Sequence, residues 1–335
     1  MSNIREVARL SGVSVATVSR TLKDPRLVSP QTRERVLKAV EETGYRPNLL
    51  ARNFSSGKSY AVVVLVPNVA NPFFSKVIRG IEQAAQDQGY SVLLGDTQGK
   101  PEREHFYAGM ALTSQADGLI QLDCRYPFAG KDAALAASVP MVNACERIAD
   151  DASYPVVELD NRSAARAVAR HLVALGHRRM GVITGPAASP IVRDRLAGFC
   201  EVLRESNLEL DEALLVNGEF TLSSGARGAE TLLSAKRPPS AIFCMNDEMA
   251  IGAIHQIKKK GLSVPEDISV VGFDNIEFAS FTDPPLTTID QPAEELGRRA
   301  METLLQIIAG SQPQEKRTKL SYELVVRESS GQCRD

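Results

Sequence analysis

The sequence predicts two fold classes in one chain: an N-terminal all-α head with a hinge helix, then a two-lobed α/β body built on parallel sheets. Three observations carry this. Residues 4–44 place apolar side chains at helical spacing in three short runs separated by Gly- and Ser-containing breaks. From residue 60 onward, continuous apolar stretches alternate with amphipathic ones, and that alternation begins afresh near residue 157. Charge divides the same way: residues 1–60 hold 11 Lys and Arg against 5 Asp and Glu, a net of +6, while the 335-residue chain is −2, leaving −8 on the rest.

The first helix is expected over residues 4–10, broken by Ser11-Gly12-Val13-Ser14. Ser14 then caps a second helix beginning at Val15. Val18 and Leu22, four apart, share a face and pack on Val7 and Val13. Ala16 and Arg20 point the other way, with Val15 in the exposed first turn. A third helix starts at Ser29-Pro30, where the missing Pro N–H costs least, and stops at Gly44. Two short helices joined by a Gly-containing turn and closed by a third form a helix-turn-helix unit. Its second helix suits a DNA major groove. A generic three-helix cap on an enzyme shares this pattern, but a basic head on an acidic body favours a phosphate-binding module.

Residues 47–59 follow as hinge and linker. Pro47 suits a first helical position, and Leu50 and Phe54 are four apart. The segment is shorter than the roughly 12–15 residues an isolated helix needs in water. Two readings stay open: a disordered linker, or a helix that forms only on DNA, with Ala51 and Arg52 toward the minor groove and an apolar wedge entering a base step.

In the body, Ala61-Val62-Val63-Val64-Leu65-Val66 is a buried strand. Helices are expected over residues 74–89, 102–114 and 129–137, and strands over 91–95, 117–122 and 139–142. The second round has helices over 163–175, 193–206, 222–235 and 248–260, with strands over 180–184, 241–245 and 268–273. A helix over 293–308 and a strand over 320–326 end the chain and cross back between lobes. Strand–helix alternation with continuously apolar strands means parallel sheets covered on both faces. Such lobes bind ligands in the crevice at the carboxyl ends of their strands.

Composition excludes several classes. The chain is 43% hydrophobic and 24% charged, unlike a disordered chain. The apolar run at 61–67 is too short for a bilayer, and residues 1–6 lack a signal-peptide core, so a cytoplasmic protein is expected. Cys124, Cys145, Cys200, Cys244 and Cys333 form no CxxC. They read as reduced residues, four of them in apolar surroundings, and neither as a disulfide framework nor as a metal site. No GxGxxG, GxxxxGK[ST] or GxSxG occurs, and Gly185-Pro186 lacks a phosphate-loop Lys. His105, His171, His177 and His255 show no ligand spacing. Neither catalytic residue, metal nor cofactor is expected.

Val7-Ala8, Gly12-Val13-Ser14, Ala16-Thr17-Val18-Ser19-Arg20 and Gly44-Tyr45-Arg46-Pro47 resemble the head of the lac repressor family. Asn71-Pro72-Phe73-Phe74, Asp117-Gly118-Leu119, Leu175-Gly176-His177, Asn246-Asp247, Val271-Gly272-Phe273-Asp274-Asn275 and Pro285-Leu286-Thr287-Thr288-Ile289 extend the resemblance over nearly the whole chain. Residues 71–82 and 273–285 are most similar to the cytidine-repressor branch. The resemblance implies a body like the type I periplasmic binding proteins, and a dimeric repressor on a palindromic operator, with paired hinge helices in the minor groove between two half-sites. It implies a head at 1–46, a hinge at 47–59 and a body at 60–335, with lobe one at about 60–160 and 292–320 and lobe two at about 161–291 and 321–335.

By the same resemblance, Val15, Ala16 and Arg20 occupy base-reading positions, and Thr17, Ser19 and Tyr45 fall where the family contacts phosphates. A guanidinium at 20 can pair bidentately with guanine, or contact phosphate alone. Asn48, Ala51, Arg52 and Phe54 make up the hinge contacts, with Phe54 standing where the family usually has a Leu wedge. The matching cleft positions are Phe73, Phe74, Asp160, Arg195, Phe220, Asn246, Asp274 and Gln291. An aromatic ring there stacks on a flat ligand face, while Arg195 and Asp274 offer charge-assisted hydrogen bonds to hydroxyls. One of Phe73 and Phe74 is expected to be lobe core. The loop Ala187-Ala188-Ser189-Pro190-Ile191 has one polar side chain, which disfavours a free purine base. The expected effector is a nucleoside such as cytidine, with ribose or another sugar as the alternative. A solute-binding protein shares the two lobes but not the basic head. Without leucine heptads at the chain end, a dimer is expected.

Overall fold

The computed structural model describes residues 3–45, 57–128, 132–148 and 154–334, in two compact units, Met1–Ser59 and Tyr60–Asp335. The hinge residues Asn48, Ala51, Arg52 and Phe54 lie outside the described residues.

In the first unit, helices α1 (Ile4–Ser11), α2 (Val15–Lys23) and α3 (Pro30–Thr43) are each set by local chemistry. Asn3, Ser14 and Ser29 cap their N-termini by accepting the amides of Glu6, Thr17 and Thr32. Each such cap stabilises by about 1 kcal/mol. Gly12, at φ 65°, ends α1 in the left-handed region and turns the chain into α2. Val7, Val18 and Val36 are fully buried at the centre, with Ile4, Val13, Leu22, Val40 and Tyr45 packed around them.

The second unit begins with β1 (Ala61–Val66), α4 (Pro72–Asp87), β2 (Ser91–Asp96), α5 (Pro101–Leu112), β3 (Gly118–Gln121), α6 (Asp132–Ala136), β4 (Met141–Ala144) and β5 (Val156–Leu159). It continues with α7 (Asn161–Ala174), β6 (Met180–Thr184), α8 (Pro190–Glu205), β7 (Leu215–Asn217), α9 (Leu222–Leu233), β8 (Ala241–Cys244), α10 (Asp247–Lys259) and β9 (Ser269–Val271). Then follow β10 (Thr288–Asp290), α11 (Ala293–Ile308), β11 (Arg317–Leu320) and β12 (Glu323–Val325).

The first lobe is a six-stranded sheet in the order β11-β5-β4-β3-β1-β2, with every described pair parallel. Alternate β1 side chains feed cores on its two faces: Val62, Val64 and Val66 on one, Val63 and Leu65 on the other. The second lobe is a parallel sheet in the order β7-β6-β8-β9, beside an antiparallel β10-β12 pair. Helix α11 returns to the first lobe and packs on α4 at backbone contact. A Cβ on Gly80 would stand 1.9 Å from the Glu294 carbonyl oxygen, and one on Gly297 would stand 2.0 Å from that of Val77.

The chain therefore passes between lobes three times: from β5 to α7, from β10 to α11, and from β11 to β12. The single strand expected at 320–326 is two strands in different sheets, because the chain leaves one lobe after Leu320 and enters the other at Glu323. Strands β7 and β10, three residues each, were not anticipated. Among the described residues, no helix is long and apolar enough to cross a membrane.

Candidate nucleic-acid interface and ligand cleft

Helix α2 turns Val18 and Thr21 inward and leaves Val15, Ala16, Ser19 and Arg20 exposed. These four side chains sit on one accessible face of the helix. The Thr17 hydroxyl lies 2.9 Å from that of Ser14 and is taken up by the cap. Tyr45 is half-buried on the head core, and its amide donates to the Val40 carbonyl. Lys23, Asp24, Pro25, Arg26 and Leu27 extend the surface of Ala16, Ser19 and Arg20 into a shallow concavity. Asp24 grips the Arg26 guanidinium through Oδ1 at 3.0 Å and Oδ2 at 3.2 Å. That guanidinium in turn holds the Asp24 carboxyl below its usual range. Lys23 and Arg26 were missed by sequence reasoning, and only the net charge of the segment pointed to them.

In the body, the carboxyl ends of β6, β8 and β9 bring together a buried polar set. Arg195, on α8 and 3% exposed, donates from Nε to Asn161 Oδ1 at 2.8 Å and from Nη1 to the Met245 carbonyl. Its guanidinium lies over the Phe273 ring, 3.6 Å from the centroid. Burial lowers its pKa to about 10, against the pull of Asp274, Glu146, Asp247 and Asp194, so it remains a cation at neutral pH. Asp274 has φ 121°, a conformation that side chains other than Gly rarely adopt. It is held there by its amide to the Ile289 carbonyl at 2.9 Å and by Gln291 Nε2 to Oδ1 at 2.6 Å. Such strain costs on the order of 1–3 kcal/mol and clusters at functional sites. Burial pushes the Asp274 carboxyl up to about 7, although Arg195 and Gln291 draw it down.

Asn246 caps α10 through Met249 N and donates to the Phe220 carbonyl at 3.2 Å. Phe220, itself at φ 56°, aims its ring at Gly185, where a Cβ would stand only 2.1 Å from Cζ. Gly185 is therefore glycine because an aromatic tip occupies the place of its side chain. Asp247 points inward, accepting Thr288 Oγ1 at 2.6 Å and Ile276 N at 2.9 Å. Burial raises its carboxyl well above the usual range, and nearby Asp274 adds to this.

The first lobe contributes Phe73 and Phe74 from the start of α4, in edge contact at 5.4 Å. Phe73 is buried as lobe core, and Phe74 is half-exposed. Lys76, one turn on, donates to the Asn275 carbonyl across the cleft at 3.0 Å. Glu146 accepts Ser189 Oγ of the other lobe at 2.6 Å, and Arg147 grips Asp194 at 2.6 and 3.2 Å. Burial raises the Glu146 carboxyl. The structure thus joins Arg195, Phe220, Asn246, Asp274 and Gln291 in one contiguous set. Asp160 stands apart: it caps α7 through Ser163 N and pairs with Lys319 at 3.0 Å, a fixed role where the chain crosses between lobes. Asn161, beside it, is the residue that reaches Arg195. Lys76, Glu146, Asn161, Asp247 and Phe273 complete the site; Asp247 and Phe273 sit inside motifs that sequence reading had already singled out.

One expectation about cysteines needs correction. Only Cys244 is buried; Cys124, Cys145, Cys200 and Cys333 are half-buried, and all five are free thiols. Cys124 lies not in apolar surroundings but against the carboxylates of Glu146 and Asp123.

These geometries have close counterparts. Residues 3–48 match the bacterial regulatory proteins of the lacI family, and residues 169–330 match a periplasmic binding protein-like domain. The chain is 40% identical over 329 residues to the HTH-type transcriptional repressor CytR of Escherichia coli (strain K12), covering 98% of this chain and 96% of that protein. It is 33% identical over 331 residues to the ribose operon repressor of Haemophilus influenzae (strain ATCC 51907 / DSM 11121 / KW20 / Rd), covering 98% of each. Among solved structures, the lac repressor dimer bound to operator and the anti-inducer ONPF superposes with a TM-score of 0.86 at 30% identity, covering 98% of this chain and 99% of that one. A helix-turn-helix head with an exposed recognition face, joined to a two-lobed α/β body whose cleft gathers buried polar groups, places this chain in the lacI family of DNA-binding transcriptional regulators.

Proposed function

We propose that this regulator works as a cytoplasmic homodimer, binding a two-half-site operator through α2 and tuning that binding by a nucleoside, cytidine foremost, held between the lobes. Residues 47–59 serve as the hinge in this reading. Val15, Ala16 and Arg20 read base edges, and Ser19 contacts phosphate. Support for the ligand class comes from two features at the cleft: the Phe220 ring, its tip against Gly185 and its carbonyl bound by Asn246, and the buried polar set of Arg195, Asp274 and Gln291. An aromatic ring offers a flat stacking surface, and the charged and amide groups suit vicinal hydroxyls. The protein acts by binding alone.

Calorimetry with cytidine, uridine, adenosine, ribose and free cytosine tests the ligand class. Cytidine binding with weak or no binding of free cytosine is the expected result; ribose as the tightest ligand would shift the reading to the sugar alternative. A gel-shift series on the region upstream of its own gene, with and without the ligand, tests control. An operator affinity that the ligand leaves unchanged overturns the regulatory half of the proposal.

A further inference from the structure

We infer that Arg147 is a two-position switch for the cleft: it holds the lobes together on Asp194 and, when they part, falls back onto Glu158. The inference rests on the reading that a ligand is held between the lobes, and it names what balances the open cleft against the closed one. Arg147 follows β4 in the first lobe, and Asp194 lies early in α8 of the second. Nη1 stands 2.6 Å from Asp194 Oδ2 and Nη2 stands 3.2 Å from Oδ1, a two-pronged pair that joins the lobes. Both side chains are half-buried, so solvent screens the pair only in part.

An orphaned acceptor marks the second position. Glu158, on β5 of the same lobe as Arg147, is 1% exposed, and its Oε2 makes no hydrogen bond among the described residues. A buried carboxylate oxygen without a donor is costly. Arg147 Nη1 is 3.5 Å from that oxygen, so a shift of about 0.6 Å brings it to the ordinary N–H···O length of about 2.9 Å. The other oxygen, Oε1, is taken by Arg317 of β11. Strands β5 and β11 are parallel neighbours in one sheet, so that pair travels with the first lobe and is indifferent to lobe movement. Asp194 belongs to the other lobe and is the partner that departs.

The crossings between lobes favour the exchange. Glu158 lies two residues before Asp160, which caps α7 where the chain leaves β5, and Lys319 of β11 pairs with Asp160 at 3.0 Å. Ser163 Oγ lies 2.8 Å from Tyr322 Oη, which ties the same two crossings together again. Rotation about these crossings keeps Arg147 and Glu158 in one lobe and carries Asp194 away. Two further contacts between the lobes, Lys76 Nζ to the Asn275 carbonyl and Ser189 Oγ to Glu146, break in the same movement. For Arg147 a second carboxylate stands ready. A cation that lost Asp194 with nothing in exchange would make opening costly. With a carboxylate at each position the two states stay close in free energy, and a ligand that prefers one of them can shift the balance. Arg147 acts through the lobes, as a positioning residue.

Calorimetric cytidine affinity of full-length variants reads the switch. Asp194→Ala removes the closed-cleft partner and should weaken binding about two- to fivefold, while Glu158→Gln removes the fallback, keeps an acceptor for Arg317, and should strengthen binding by a similar factor. In an Arg147→Met background both changes should vanish. A merely structural pair would not give shifts of opposite sign that both depend on Arg147, and thermal melting of each variant shows that it is folded. A crystal structure of the Asp194→Ala chain should place the Arg147 guanidinium within hydrogen-bond distance of Glu158 Oε2. Affinity shifts of one sign, shifts that persist without Arg147, or an Arg147 that turns to solvent in that crystal overturns the inference. A parent chain that binds neither cytidine nor ribose overturns the ligand reading instead, and the crystal structure then decides the switch by itself.

Discussion

Replacing Arg195 by Met removes the guanidinium that lies over the Phe273 ring and offsets the charge of Asp274, while keeping much of its volume. Two buried acceptors lose their donor: Asn161 Oδ1, at 2.8 Å, and the Met245 carbonyl. Each costs about 1–3 kcal/mol when left unsatisfied. The cation–ring contact at 3.6 Å is worth about 1–2 kcal/mol when desolvated. Relief from burying a charge runs the other way. The expected net loss is about 3–5 kcal/mol, as for breaking a buried pair from one side. The loss also depends on pH. Asp274 sits at about 7 in the folded chain against its ordinary 3.8, so the folded state binds this proton more tightly. Stability from this group therefore falls as pH rises from about 4 to about 7 and then levels off. Without Arg195 the folded-state value climbs higher, so the variant keeps losing about 1.4 kcal/mol per pH unit above 7. Urea unfolding of the full chain, followed by circular dichroism at about pH 6.5 and about pH 8.5, gives both numbers. A loss below about 1 kcal/mol, or one equal at the two pH values, refutes the reasoning.

Gly185→Ala would place a Cβ 2.1 Å from Phe220 Cζ, and ordinary contact needs at least 3.4 Å, so the ring tip must retreat by about 1.3 Å. Because Phe220 is half-exposed, the stability cost should fall near the low end of about 1–3 kcal/mol, while nucleoside affinity drops at least about tenfold. Adding Gly185→Ala to a Phe220→Ala background should then change calorimetric affinity little; a further large loss would place the damage elsewhere. Arg20→Ala should relax preference at one base position per half-site, costing about 1–3 kcal/mol against the best sequence. An unchanged motif in an operator selection would mean that Arg20 touches phosphate alone. Hydroxyl donors prefer an ionised acceptor, so nucleoside affinity should rise with pH and level off above about 7, the Asp274 value. Asp274→Asn should flatten that profile in calorimetry, and an identical profile in the variant would rule out Asp274 as its source.

Much of the fold was legible because its signals are local. The continuous apolar run of β1, the Ser14 cap, and the Gly12 and Gly44 stops each act within a few residues of themselves. What could not be read was set by distant partners. Strands β7 and β10 hold three residues each, and pairing with a neighbour, not composition, makes them strands. The split of residues 320–326 follows from a change of lobe, which has no signature in hydropathy. At the cleft, Asp274 was found inside a motif and Arg195 as a cleft position that the resemblance implies, but Asn161, the partner of Arg195, lies 34 positions away, and Lys76 meets Asn275 across 199. Cys124 shows the same limit from the other side. Its sequence neighbours gave no hint of Glu146, which the adjacent strand delivers to it.

The three passages of chain between lobes bear on what can be cut away. A polypeptide halted after residue 160 would contain β1 to β5 in sequence, yet β5 would lack β11 along its edge and α4 would lack the helix that meets Gly80. The N-terminal half thus waits on the last fifth of translation to become complete, and neither lobe can be harvested by a single truncation. A lobe made alone would need its late segments spliced back by circular permutation.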